Sequence, residues 1–172
     1  MENKFEFNLI NIHWKYDTPD NENDLCAHGE VFVKINDEII SNNEDWAISA
    51  TGLYLLRSLK NNYKPEMYGN FLLPCCAMDF WLDNYGKVYF IGCPNGIDLT
   101  IEHLDNNYVK IISKNGSEVI IKGEIFKEII SKFITKIELF YKNSPKRKLD
   151  KEKEIGFNAF WDEWYKLKNE YL

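Results

Sequence analysis

The sequence is short of the usual marks of catalysis. It has no phosphate-cradling glycine loop, no G-x-S-x-G elbow and no H-E-x-x-H helix, which excludes several large enzyme classes at once. No C-x-x-C pair occurs among its four cysteines, so spacing alone draws no zinc knuckle. No uncharged apolar stretch approaches the roughly 18 residues that a membrane helix needs. The opening MENKFEFNLINIHWKYD carries acids and alternates in polarity, where an export signal would set a basic start before an apolar run. Internal repeats and low-complexity tracts are also missing. These absences lead to the expectation of a single-domain, soluble, cytoplasmic chain with free thiols, its 172 residues long enough to bury one core.

Aromatic residues are abundant. Phe, Trp and Tyr make up 15% of the chain, more than packing requires, so some are expected on a partner surface. Charge is unevenly spread. Residues 1–50 hold 11 acids against three lysines, whereas residues 101–150 hold seven acids against ten bases, within an overall net charge of −6. An acidic amino-terminal half repels phosphate backbones, which speaks against nucleic acid and favours a basic protein partner.

Hydrophobic spacing divides the chain into elements. Phe5, Phe7 and Leu9 alternate, then Ile10, Ile12, Trp14 and Tyr16 alternate on the other parity, which predicts a strand with a bulge near Leu9 and Ile10. A second strand turns at Asn36-Asp37 into Glu38-Ile39-Ile40 as a hairpin. Ser41 or Asn42 reads as the cap of a helix over WAISATGLYLLRSLK, with Glu44 and Asp45 near its positive end. From Ala77 a four-strand meander is expected, with turns at residues 83–86, 105–107 and Asn115-Gly116. Ile125, Ile129, Phe133, Ile137 and Phe140 define a long amphipathic helix. Residues 142–154 read as an exposed polar linker before a terminal helix near Phe157 that carries Phe160, Trp161 and Trp164 on one face. The predicted fold class is α+β: an antiparallel meander sheet, an N-terminal hairpin region and about three packed helices.

The candidate chemistry is concentrated around cysteine. Cys75, Cys76, Cys93 and His103 form the best centre for a small enzyme or zinc protein. Adjacent Cys75 and Cys76 are awkward ligands, however, because neighbouring strand side chains point to opposite faces. Cys93, His103 and Asp98 could instead assemble a nucleophile, base and orienter. Cys26 and His28 share one strand face. Lys146, Arg147, Lys148, Lys151 and Lys153 form the basic cluster, but acids interrupt it. No catalytic residue, cofactor or metal is assigned on this reading.

The acids Asp17, Asp20, Glu22 and Asp24 lack the glycine and bidentate glutamate of a calcium loop. With Glu44, Asp45 and Trp46 they mix charge with an aromatic anchor, the chemistry of a contact for a basic partner. The ring face of Phe160, Trp161 and Trp164 is a candidate for self-association.

The segments GEVFVKINDEIIS, ATGLYLLRSL, LLPCCAMDFW, IGCPNGIDLTIEH and FNAFWDEW together resemble a family of small, uncharacterised bacterial cytosolic proteins, across residues 29–164. That resemblance implies a single cytosolic domain and carries over no catalytic residue. The functional expectation is a non-enzymatic protein-binding module of the immunity or antitoxin kind.

Overall fold

A change of parity inside the first hydrophobic run shapes the amino-terminal sheet. Phe7, Leu9 and Trp14 are buried, and the register of β1 (Phe5–Trp14) against β2 (Ala27–Ile35) shifts between Leu9 and Asn11. The extra residue, Ile10, turns out to solvent. β2 then passes through Asn36, whose φ of 51° lies in the left-handed region that asparagine tolerates, into β3 (Glu38–Trp46). The three strands form one antiparallel sheet in the order β1-β2-β3. The computed structural model describes residues 4–15, 22–65, 67 and 70–172.

The first helix, α1 (Ile48–Ser58), starts later than its sequence suggests. Ser41 does not cap it. Its Oγ lies 2.7 Å from the Val31 carbonyl and accepts from Trp46 Nε1 at 2.9 Å, and these bonds belong to an extended chain. The helix begins only after Ala47, whose N–H donates to the Pro74 carbonyl at 2.9 Å. Every residue of α1 is buried.

The expected four-strand meander divides into separate ladders. β4 (Leu73–Pro74) pairs with β7 (Gly96–Ile97), and β5 (Met78–Leu82) with β6 (Val88–Ile91). β8 (Leu99–Leu104), β9 (Tyr108–Ser113) and β10 (Glu118–Lys122) form a three-stranded antiparallel sheet. The break falls at residues 92–95. Pro94 has no N–H to offer a ladder, and the Cys75 N–H takes the Asn95 carbonyl at 3.1 Å, which draws this segment toward β4. The long helix, α2 (Gly123–Asn143), buries Phe126, Ile130, Phe133, Ile134 and Ile137 along one face. The fold is α+β.

The polar stretch 142–154 is partly built into the molecule. The Arg147 guanidinium lies 4.1 Å from the centre of the Trp14 ring and donates to the Pro145 carbonyl. The Lys148 N–H donates to the Glu22 carbonyl at 2.7 Å. α3 (Lys151–Tyr171) begins before Phe157, because the Asp150 carboxylate accepts the Lys153 N–H at 2.9 Å and caps it. Phe160 and Trp164 lie wholly in the core. The self-association face read from Phe160, Trp161 and Trp164 is therefore largely interior, because α3 packs its rings on α1 and on Phe80 and Phe90. Gly52 makes this possible: a Cβ there would come within 2.5 Å of the Trp164 ring.

Arg57 of α1 is 4% exposed. Its Nε and one terminal nitrogen donate to the two carboxylate oxygens of Glu163 at 2.7 and 2.8 Å, and that same terminal nitrogen reaches the Val88 carbonyl at 2.6 Å. A buried guanidinium is tolerable only when paired in this way. Glu163→Gln should therefore lower the unfolding free energy in a denaturant titration by about 3 kcal/mol. Glu128→Gln, which removes the solvent-screened exposed pair with Lys132, should leave it essentially unchanged.

Candidate functional site

Three sulfurs meet where the chain leaves β4 and where it leaves β6. The Sγ atoms of Cys75, Cys76 and Cys93 all lie within 4.8 Å of one another. Gly92 permits the approach, because a Cβ at this position would sit 2.3 Å from the Cys76 carbonyl oxygen. Cys75 and Cys93 are joined by a disulfide, which corrects the expectation that all four cysteines are free thiols. Cys76 remains a half-buried thiol, and its sulfur accepts the Cys93 N–H at 2.9 Å.

Asn70 flanks this cluster. Its side-chain Nδ2 is buried without a hydrogen-bond partner among the described residues and lies 3.0 Å from where a Cβ on Gly92 would be. Cys26 is different. Burial pushes its thiol well up, and the charges of Asp24 and Asp79 add to the effect, so it stays protonated and behaves as a small hydrophobe.

His103 stands apart from the sulfurs. Its Nε2 lies 2.8 Å from the Ser58 carbonyl, and its N–H donates to Asn62 Oδ1. Asp98 accepts from the Tyr63 hydroxyl at 2.6 Å and from the Leu72 N–H at 2.8 Å. The trio of Cys93, His103 and Asp98 is thus not assembled. Asp98 and His103 lie toward opposite ends of β8, each committed to its own structural bond.

The second concentration of polar chemistry is on the outer face of the first sheet. His13 and His28 are register partners across β1 and β2, and Glu30 and Asp45 across β2 and β3. Asp45 lies between the two imidazoles, with Oδ1 3.0 Å from His13 Nε2 and Oδ2 3.4 Å from His28 Nδ1. His28 is 1% exposed, and its Nε2 has no hydrogen-bond partner among the described residues.

His13 sits between two acceptors, the Trp14 carbonyl on Nδ1 and Asp45 on Nε2, and only its cation can donate to both. Burial lowers its pKa, but the Trp14 carbonyl and the Asp45 charge outweigh that and raise it. Asp45 moves the other way. Burial would raise it, yet its bond to His28 and the charges of both histidines bring it below the usual carboxylate value.

The other residues expected to contact a partner are distributed as follows. Asp17 and Asp20 lie outside the described residues. Glu22 pairs with Lys148 Nζ at 2.7 Å. Asp24 is buried, and its carboxylate accepts the Lys15 N–H at 2.6 Å. Trp46 is buried too, so it does not serve as an exposed anchor. Its place in β3, directed inward onto Ser41, explains the difference. Glu44 and Asp45 remain exposed, and the Glu44 carboxylate is held by the Ser41 hydroxyl and the Asn42 N–H.

Sequence reasoning did not single out Gly92, Asn70 or Glu30. The glycine directly before Cys93 was the signal available for the first. Comparison of the chain with protein-family models, curated proteins and solved structures finds no match.

The His13 and Asp45 shifts fix a pH dependence. A histidine with a raised pKa stabilises the fold fully below its ordinary value of 6.5 and loses that contribution as pH rises through the raised one. Asp45, shifted down from 3.8, contributes above that value and loses its contribution in acid. The destabilisation caused by His13→Ala should therefore be greatest at about pH 5–6 and should fade toward about pH 9. Thermal unfolding of both proteins across that range measures it.

Proposed function

We propose that the protein is a non-enzymatic binding module that holds a basic protein partner through the acidic edge of the β1-β2-β3 sheet, in the manner of an immunity protein or antitoxin. The observation that carries this reading is the register pairing of Glu30 with Asp45 at the end of a sheet whose outer strand, β3, exposes residues 42–45. Two carboxylates set opposite each other on one face cost stability in the isolated fold. His13 offsets part of that cost, and a cationic partner would offset the rest. An exposed row of carboxylates also steers encounter with a basic surface.

The overall charge of −6 points the same way and disfavours nucleic acid. No helix among the described residues is long and apolar enough to cross a membrane. A cytoplasmic setting belongs to the same proposal, with the partner encoded beside this chain, as inhibitors of this kind commonly are. On this reading the binding surface is Glu30, Glu44 and Asp45.

The test is the association rate with the basic product of the neighbouring gene, measured by stopped-flow at two salt concentrations. Glu30→Lys with Glu44→Lys should slow association by at least about tenfold at low salt and remove most of its salt dependence. An unchanged rate would take the acidic edge out of the interface.

A further inference from the structure

The convergent sulfurs have no part in that binding surface, and they are the least explained chemistry in the fold. We infer that, once the Cys75–Cys93 bond is reduced, Cys75, Cys76 and Cys93 form a three-thiolate site for one soft, closed-shell metal ion, Zn(II) or Cu(I). Their Sγ atoms already share a region 4.8 Å across, so modest side-chain rotations place all three at a metal–sulfur distance of about 2.3 Å.

The donor set decides the class of ion. Among the described residues no imidazole or carboxylate joins the group, and an all-sulfur set selects Cu(I) and zinc over hard cations. Three thiolates satisfy Cu(I), whereas zinc completes its tetrahedron with a water. The surroundings suit the charge. Three thiolates on either ion leave a net negative centre, and the Cys93 N–H is already directed at the Cys76 sulfur at 2.9 Å. Hydrogen bonds of this kind orient and tune metal-bound thiolates. The buried amide of Asn70, without a partner among the described residues and adjacent to Gly92, supplies a further donor beside the cluster.

The redox step balances with a dithiol as reductant. Two electrons and two protons pass to Cys75 and Cys93, their S–S bond opens, and the dithiol leaves as its own disulfide. Metal uptake then releases three protons, one from each thiol, with no change of oxidation state. In a reducing compartment the site is open to metal, and in an oxidising one it is closed by the disulfide.

The experiment uses the full chain, reduced with dithiothreitol and freed of it anaerobically, then titrated with Co(II) as the optical stand-in for zinc and with Cu(I) against a chromophoric chelator. One equivalent of metal should bind, with a thiolate-to-cobalt charge-transfer band for the zinc-type site. Saturation by Cu(I) alone assigns the site to copper. Protein oxidised with diamide should bind neither ion. Cys26→Ser should retain binding and Cys76→Ser should lose it. The unmutated protein gives an independent reading: bound metal should shield three cysteines from iodoacetamide, counted by mass spectrometry. Folded, reduced protein that shows neither metal uptake nor shielding overturns the inference, as does equal loss of binding in Cys26→Ser and Cys76→Ser.

Discussion

The pairing of Arg57 with Glu163 is the interaction that the placement of the other elements depends on. A guanidinium buried in the last turn of α1 has to be matched by charge and by hydrogen bonds in fixed directions. Its partners are a glutamate on α3 and a carbonyl of β6, so one side chain fixes three elements far apart in the chain. With α3 held in this orientation, Trp164 falls against Gly52, and Phe157 and Phe160 cover Phe80 of the β5–β6 hairpin. The aromatic richness of the chain is thereby absorbed mostly into the interior.

Local patterning made much of this fold legible. The bulge in β1, the turn at Asn36 and the five-turn run of α2 follow from periods of two and 3.6 and from turn chemistry. The boundary between β3 and α1 did not. A run of Ser, Asn, Glu and Asp serves equally well as a helix cap or as a bulged, solvated strand edge, and what decided it was the bond from Trp46 to Ser41 within the sheet. Arg57 and Glu163 stand 106 residues apart, a separation that no local window can join.

The sulfur cluster was hidden for a related reason. Adjacent cysteines in a strand point to opposite faces, yet Cys75 and Cys76 lie after β4 and before β5, in irregular backbone where that alternation does not hold. The acidic surface was legible in amount but not in position. Glu22 and Asp24 serve the packing of the stretch around Arg147, and Trp46 turns inward. Glu30, whose strand neighbours gave no sign of function, takes its place beside Asp45.

The bond between Cys75 and Cys93 spans a sequence separation of 18 and encloses the whole β5–β6 hairpin. That hairpin is the floor on which α3 rests, so the covalent link acts as a tether for the carboxy-terminal third of the molecule, with a loop-closure worth of roughly 3 kcal/mol. An ion gripped by the same sulfurs would close the same ring. Only the bare, reduced chain would be left to hold floor and helix together by packing alone. Subglobal opening, the slow breathing seen by amide hydrogen exchange, should thus be confined to that one chemical state of the cluster.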